Sequence, residues 1–182
     1  MTNTIVGLLR HGQTDWNIDF RLQGVTDIPL NETGLSQARV AASMLGRGSW
    51  DAIVSSPLSR ALVTAEIVAE TNALGPVAIE PLLLERSFGE AEGMRHEEWK
   101  QAFPDQNLVP GCETLEQLSA PMGVSLFERS TAMFLVVIHK PGWICELGGC
   151  SWWEFSTHLS AMLTACQPYT FAGSNVGFSY TL

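Results

Sequence analysis

Blocks of hydrophobic residues alternate along the chain with longer segments in which apolar positions recur every three to four residues. Short apolar blocks bounded by polar residues are typical of buried strands, and the periodic segments are typical of amphipathic helices. The predicted strands span 4–9, 51–56, 77–79, 132–138 and 177–182. The predicted helices span 31–45, 57–70, 96–103, 114–129 and 154–164.

The order of these elements predicts an α/β fold. Strands that alternate with helices are joined by crossovers, which leave the strands parallel. We therefore expect a three-layer α/β/α sandwich with a mostly parallel central sheet and helices on both faces. The polar stretch 13–31 and the segment 81–111 interrupt the alternation, and we expect both to be loops apart from the helix at 96–103.

Two predicted helices carry further local signals. Proline is favoured in the first turn of a helix, where its missing N–H group has no partner to lose, and Pro57 is expected to occupy that position. In the helix 31–45, four apolar residues are expected to share one buried face: Leu35, Ala38, Ala42 and Leu45.

Length and composition indicate a single domain, 1–182, of the globular class. Of the 182 residues, 46% are hydrophobic and 16% are charged. The longest apolar run, 132–138, is too short to cross a bilayer, which needs about 20 residues. The first residues lack the basic region and long apolar stretch of a secretory signal. We therefore expect a cytoplasmic protein that does not bind membranes.

The charge balance narrows the class of partner. The chain carries 10 Lys and Arg against 19 Asp and Glu, a formal net charge of −9. Nucleic-acid binders usually present a basic face, so no nucleic-acid partner is expected. The four cysteines form no Cys-x-x-Cys pair and no zinc-type spacing. We expect free thiols and no metal site, while a disulfide between Cys145 and Cys150 stays open for an oxidised chain.

The candidate chemistry lies where strands end. The first strand runs into Arg10 and His11, and His139 follows the strand 132–138. Ligands bind at the carboxyl ends of strands in open α/β sheets. Arg60 lies in the first turn of a predicted helix, and helix N-termini attract anions. Two histidines, two arginines and a helix start together predict a phosphoryl site that needs no metal or cofactor. Gly12 is expected to let the backbone approach the ligand closely.

These residues belong to an ordered series of short motifs. A lone Arg-His-Gly would be a weak signal, but the series is dense and colinear within 5–117. It resembles the histidine phosphatase superfamily, in its phosphoglycerate mutase-like branch. The segments that carry the resemblance are 10–17, 21–24, 27–30, 34–38, 55–61, 64–65 and 85–93.

The resemblance implies a role for each matching residue. His11 resembles the family nucleophile, which forms a phosphohistidine intermediate, and Glu85 resembles the general acid that protonates the leaving oxygen. His139 resembles the second histidine that contacts the phosphoryl group. The remaining matches resemble substrate-binding positions, with Arg10 and Arg60 as the phosphate clamp, Asn17 as a neutral donor, and Gln23 and Gly24 in the flanking loop.

Physical chemistry agrees with these roles. A histidine must be neutral to attack phosphorus, and flanking arginines are expected to lower the pKa of His11 by charge repulsion. Guanidinium groups can stabilise the charge on the transferred group, so no cofactor is required. Glu85 must be protonated when it donates, so its partial burial is expected to raise its pKa.

The chain departs from the family pattern after the second histidine. Lys140 and Pro141 occupy positions where the family usually has glycines, and proline removes a backbone donor. This departure keeps a degenerate phosphate-binding protein open as a hypothesis. The leading hypothesis is a metal-independent phosphatase that hydrolyses a small phosphorylated metabolite. A phosphoglycerate mutase is the second hypothesis, and a homodimer stays open.

Each candidate also has a simpler structural interpretation. Arg60 could form a surface ion pair on its helix, and Glu85 could pair with Arg86 in a loop. Asn17 could be an ordinary turn former, and His139 a core histidine. Arg86, Glu92 and Trp99 are further candidates for the substrate side, and His96 and His158 are expected to face solvent.

Overall fold

A five-stranded sheet lies at the centre of this computed structural model, which describes residues 4–46, 48, 50–105, 108–114, 133–138 and 168–173. The strands follow the order β3-β2-β4-β1-β5, and β5 alone runs antiparallel to its neighbour. The mostly parallel sheet predicted from the sequence is therefore confirmed. The strands are β1 Thr4–Arg10, β2 Ala52–Ser55, β3 Ala78–Ile79, β4 Met133–Ile138 and β5 Pro168–Gly173.

Four α-helices and two 3-10 turns connect these strands within the described residues. The α-helices are α1 Asp15–Ile18, α2 Glu32–Leu45, α3 Ser59–Asn72 and α4 His96–Ala102. The 3-10 turns span Pro81–Leu83 and Gly89–Ala91. The Asn31 side chain caps α2 by accepting a hydrogen bond of 2.9 Å from the Gly34 amide, which satisfies one of the unpaired N–H groups of the first turn.

Helices α2 and α3 cover one face of the sheet together. The helices contribute mainly alanines, whose small side chains let the two backbones approach each other and the strands. Trp50 fills the remaining space at the edge of this cluster. The buried members of the cluster are Leu9, Ala41, Ala42, Trp50, Ile53, Ala61, Ala65, Val68, Ala69 and Val137.

The sheet register brings three strand ends to one edge. Arg10, the last residue of β1, pairs with Ile138, the last residue of β4. Ser55, the last residue of β2, pairs with Val137. Because β4 lies between β1 and β2 although it follows both in sequence, the segments after all three strands start from neighbouring points. Such an edge of an open α/β sheet is where ligands bind.

Several local predictions need correction. The stretch 13–31 was expected to be a loop, but it contains α1, whose single turn is too short to show a periodic pattern. Pro57 lies before the N-cap residue Leu58 and so precedes α3 instead of starting it. Leu35 and Leu45 are only half-buried, because the narrow gap to α3 admits smaller residues. Those residues are Gly34, Ala38, Ala41 and Ala42.

Three other predicted elements lie outside the residues that the structure describes. These are the helix 154–164, the strand 177–182 and all but the first residue of the helix 114–129. The strand β5 at 168–173 had not been predicted. Among the residues that are described, no helix combines the length and apolar character needed to cross a membrane.

The loop that follows β1 crosses the first turn of α2 at van der Waals distance. A Cβ at Gly12 would overlap the Gly34 carbonyl oxygen, and a Cβ at Gly34 would overlap the Gln13 carbonyl oxygen. Gly12 had been expected to make room for a ligand, but the atoms it makes room for are those of α2. The pair of glycines therefore sets the path of the chain next to His11.

Gly34→Ala tests this close crossing. Alanine normally stabilises a helix relative to glycine by about 1 kcal/mol, whereas overpacking costs about 1–3 kcal/mol. We expect a lower free energy of unfolding in urea for Gly34→Ala. Gly75→Ala is the matched control, because a Cβ there has no atom within 4 Å, and it should leave stability unchanged or slightly raised. A stabilised Gly34→Ala protein would contradict the packing argument.

Candidate active site

A cavity of about 1150 Å³ opens at the edge of the sheet where β1 ends. Seven of the eight residues singled out from the sequence line it. The eighth, His139, lies outside the described residues and directly follows Ile138 of β4 in the sequence. The seven are Arg10, His11, Asn17, Gln23, Gly24, Arg60 and Glu85.

His11 is held as one particular tautomer. Its side chain is 3% exposed, and Nδ1 lies 2.7 Å from the Gly12 carbonyl oxygen. A carbonyl can only accept a hydrogen bond, so Nδ1 carries the proton and donates it. Nε2 is then the ring nitrogen with the lone pair, which is the atom that a nucleophilic histidine uses.

The imidazole of His11 is neutral at physiological pH. Burial is the largest cause, and the neighbouring positive charges of Arg60 and Arg10 act in the same direction. Together they lower the pKa of His11 from 6.5 to about 3, although the hydrogen bond to Gly12 opposes them. The sequence had attributed this shift to the arginines alone, whereas desolvation contributes more.

Arg60 is the second residue of α3 and is 1% exposed. Its two terminal nitrogens donate to the backbone carbonyls of Thr26, at 2.9 Å, and Gly24, at 2.8 Å. Burial lowers the pKa of Arg60, while three acidic groups, those of Glu85, Asp27 and Glu92, raise it. The guanidinium is therefore an internal cation beside the cavity, and the alternative of a surface ion pair is wrong.

The start of α3 holds a carboxylate of the protein itself. Asp27 Oδ1 accepts hydrogen bonds from the Ser59 amide, at 2.8 Å, and from Ser59 Oγ, at 2.7 Å. The N-cap residue Leu58 provides no side-chain cap. The sequence had suggested that this helix start would attract the substrate anion, but Asp27 occupies it at Ser59.

The oxygen of the Asn17 side-chain amide takes part in the cap of α1. Asn17 Oδ1 accepts from the backbone amide of Thr14 at 3.0 Å, while the backbone amide of Asn17 donates to Thr14 Oγ1 at 3.2 Å. This reciprocal pair caps α1, so the turn-forming interpretation holds for the oxygen. The amide nitrogen carries the N–H donors, which is the group a phosphate oxygen would need. The Thr14 hydroxyl also lies 3.0 Å from Gln23 Oε1 and so ties Gln23 to the same loop.

Glu85 is 8% exposed and lines the cavity. One of its oxygens accepts from the Arg86 amide at 3.0 Å. The Arg86 guanidinium is directed elsewhere, to the Glu113 carbonyl oxygen at 2.8 Å and to Cys112 Sγ at 3.3 Å. The contact that joins Glu85 to Arg86 is thus a backbone one, and the carboxylate of Glu85 is placed beside Arg60.

Glu92 binds the backbone of residues 25 and 26, next to the carbonyls that Arg60 contacts. Its carboxylate accepts from the amides of Val25, Thr26 and Phe88 and from the Thr26 hydroxyl. Gly24 has a φ of +55°, and a Cβ there would overlap the same carboxylate. The sequence had offered Glu92 only as a candidate on the substrate side, because contacts 66 and 67 positions apart leave no local signal.

The remaining candidates, Trp99, His96 and His158, differ in their positions relative to the cavity. Trp99 is buried in a small cluster with Ala91 and Val109 and is absent from the cavity lining. His96 is exposed, as expected, and lines the outer part of the cavity. His158 lies outside the described residues. In the described ranges, no cluster of three or more His, Cys, Asp or Glu side chains could hold a metal ion.

Comparison with known proteins identifies relatives of this arrangement. Residues 6–118 match the family model of the histidine phosphatase superfamily (branch 1). The uncharacterized phosphatase PhoE of Bacillus subtilis (strain 168) is 50% identical over 116 residues, which are 64% of this chain and 59% of that protein. The probable phosphoglycerate mutase GpmB of Photorhabdus laumondii is 34% identical over 131 residues, 66% of this chain and 60% of that one. The chain thus matches about three fifths of the length of these relatives.

A solved structure extends the likeness to the fold. A mycobacterial glucosyl-3-phosphoglycerate phosphatase in complex with VO3 superposes with a TM-score of 0.74 and 26% identity. The superposition covers 98% of this chain and 97% of that one. The α/β fold class predicted from the sequence is confirmed by this likeness and by the parallel sheet.

The buried His11 makes stability depend on pH. The unfolded chain protonates His11 near pH 6.5, whereas the folded protein does so only near pH 3, so stability falls as pH is lowered through this window. Between pH 7 and pH 5 the expected loss is about 2 kcal/mol from this residue. Urea unfolding at the two pH values should show a smaller loss for His11→Asn, which cannot titrate.

His96→Asn, at an exposed histidine, is the matched control and should keep the pH dependence of the wild type. Equal losses of unfolding free energy in wild type and His11→Asn would contradict a buried neutral imidazole at position 11.

Proposed function

The chain belongs to the histidine phosphatase superfamily, and from that premise we propose that it is a metal-independent phosphatase acting on a small phosphorylated metabolite. The observation that carries the proposal is the cavity that joins a neutral, tautomerically fixed His11 to Arg10, Arg60 and Glu85. A nucleophile, two cations and a carboxyl group together provide covalent capture, charge stabilisation and proton transfer without a metal.

The proposed reaction has two steps. In the first, His11 Nε2 attacks phosphorus, the bond from phosphorus to the ester oxygen breaks, and Glu85 gives its proton to the departing oxygen. In the second, water attacks the phosphohistidine, Glu85 takes a proton from it, and inorganic phosphate leaves with the original imidazole restored. The covalent intermediate divides one difficult displacement into two easier ones.

Arg10 and Arg60 supply the positive charge that phosphoryl transfer needs. Charge spreads over three equatorial oxygens of the transferred group, and fixed guanidinium donors stabilise it without reorganising. Asn17 and Gln23 add neutral donors from the loop between β1 and α2. His139 belongs to the proposed set by sequence, as the residue that follows β4.

Hydrolysis and mutase activity differ in what happens to the phosphohistidine. A mutase must exclude water, which family mutases do with long insertions between the acid and the second histidine. Only 53 residues separate Glu85 from His139 in this sequence, and this short spacing favours hydrolysis. The likeness to GpmB, which is named as a probable phosphoglycerate mutase, keeps phosphoryl transfer to a second hydroxyl as the alternative.

Residues 140 and 141 support a third candidate. Lys140 and Pro141 replace the glycines usual after the second histidine, so a member that binds phosphate with little turnover stays a hypothesis. Retained phosphate binding without release of phosphate from any ester would favour it over both enzymes.

Hydrolysis of para-nitrophenyl phosphate tests the nucleophile and the clamp. His11→Asn should lower kcat at least about 1000-fold, because no intermediate can form. Arg60→Gln should lower kcat/KM about 100- to 1000-fold through lost charge stabilisation. Arg39→Gln, at an exposed arginine of α2, is the matched control for Arg60 and should keep full activity.

If the wild-type reaction is quenched at alkaline pH, where an acid-labile phosphohistidine survives, phosphate should be found on the peptide that contains His11. With 3-phosphoglycerate as substrate, release of phosphate supports hydrolysis, whereas formation of 2-phosphoglycerate without release of phosphate supports the mutase. Full activity of His11→Asn would refute the mechanism.

Glu85→Gln tests the general acid through the leaving group. An alkyl phosphate leaves as a strongly basic oxygen and needs the proton, whereas para-nitrophenolate leaves without help. We expect kcat to fall about 100-fold for an alkyl phosphate and much less for para-nitrophenyl phosphate. Glu70→Gln, at an exposed position of α3, is the control. Equal losses on both esters would assign Glu85 a role other than proton donation.

A further inference from the structure

Residues 24–26 form a short loop that lies between two oppositely charged side chains. On one side, the Arg60 guanidinium donates to the carbonyl oxygens of Gly24 and Thr26. On the other side, the Glu92 carboxylate accepts from the amides of Val25 and Thr26. The cation holds the acceptors of the loop and the anion holds its donors, so the backbone of the loop is oriented by both.

Thr26 is the residue that both side chains hold. Its amide and hydroxyl both donate to Glu92 Oε2, and its carbonyl oxygen accepts from Arg60 at 2.9 Å. These N–H and C=O groups belong to the two peptide groups that flank the Thr26 Cα, so a displacement of this residue would loosen both contacts. The position of the Arg60 guanidinium is linked to that of Glu92 through the backbone of one residue.

A carboxylate is required at position 92 by the number of donors that meet it. Four donors converge on it, from Val25, Phe88 and, twice, Thr26. Two carboxylate oxygens offer about four lone-pair sites, whereas an amide offers two and places an NH₂ group in the other position. In Glu92→Gln that NH₂ group would face the Thr26 amide, another donor, if the oxygen kept Val25 and Phe88.

Gly24 keeps this arrangement compact. Its φ of +55° suits glycine, and the space a Cβ would take is filled by the Glu92 carboxylate. The neighbouring Asp27 ends the loop at Ser59, one residue before Arg60. The loop is thus fixed at both ends of the region that Arg60 contacts.

We propose that Glu92 is a positioning residue for phosphate binding, and that it acts through the loop 24–26 to fix the Arg60 guanidinium toward the phosphoryl group. The inference rests on the proposed function, in which Arg60 binds phosphate. Glu92 itself does not contact the substrate; its carboxylate is directed to backbone amides and to one hydroxyl group.

The experiment compares Glu92→Gln with Glu90→Gln, an exposed carboxylate two positions away. Calorimetry measures the Kd of inorganic phosphate and of orthovanadate, and para-nitrophenyl phosphate gives kcat and KM. We expect Glu92→Gln to weaken binding of both anions and to lower kcat/KM about 10- to 100-fold, because small misplacements of a catalytic group cost such factors. Glu90→Gln should match the wild type.

A double-mutant cycle with Arg60→Gln separates positioning from general loss of structure. If Glu92 acts through Arg60, Glu92→Gln should add little to the loss already caused by Arg60→Gln. Thr26→Val, which removes only the hydroxyl, should reproduce part of the Glu92→Gln effect and share its coupling to Arg60. Additive losses in the cycle, or anion affinity equal to the wild type in Glu92→Gln, would overturn the inference.

Measurements on the wild type distinguish a failure of the proposed phosphatase function from a failure of the positioning role of Glu92. A wild type that binds phosphate and vanadate but hydrolyses no ester refutes the phosphatase and leaves the binding arm of the test in force. A wild type that binds neither anion refutes both proposals, because Arg60 would then have no phosphate to be positioned for. Thermal unfolding of each variant shows whether the fold is retained.

Discussion

The burial of one cation, Arg60, constrains the loop and the acidic groups on its side of the cavity. A guanidinium that is 1% exposed loses its hydration, and such a charge is stable in the interior only when it is paired and hydrogen-bonded. The loop 24–26 turns its carbonyls inward to meet that need, and Asp27, Glu85 and Glu92 surround the group with negative charge. The shape of the loop is therefore a consequence of the buried charge.

The same burial makes the neighbouring imidazole a base that stays unprotonated. Desolvation and the two arginines all disfavour a second positive charge on His11. A bound phosphate dianion would reverse part of this effect, since an anion beside an imidazole raises its pKa. Because burial and the arginines lower the pKa of His11 to about 3, any rise caused by a bound anion starts from well below neutral pH. In the proposed mechanism, this low starting value keeps the His11 imidazole neutral beside an anionic substrate.

The sequence predicted the elements that repeat a pattern and the residues that end a strand. β1, β2 and β4 were found as short apolar blocks, and α2 and α3 as segments in which apolar positions recur every three to four residues. Arg10 and His11 were placed at the site by the rule that ligands bind at the carboxyl ends of strands, and Arg60 by its position in the first turn of a helix. Asp27 and Glu92 were missed as structural groups, because their partners lie 32 and 66 positions away and are mostly backbone amides. A backbone amide has no residue identity that a sequence could display.

Residues of one motif can nevertheless be told apart by what their polar atoms contact. Glu85 and Glu92 lie in the same motif segment, 85–93, where the resemblance gave Glu85 the role of the acid and left Glu92 as a candidate on the substrate side. Glu92 directs both oxygens to four donors of the protein, so protonating it would break hydrogen bonds that shape the loop. Glu85 Oε1 accepts from the Arg86 amide, and the carboxyl group lines the cavity beside Arg60. The hydrogen bonds of Glu92 therefore suit it to hold the loop that contacts Arg60, whereas the proposed mechanism gives the proton exchange to Glu85, which lines the cavity.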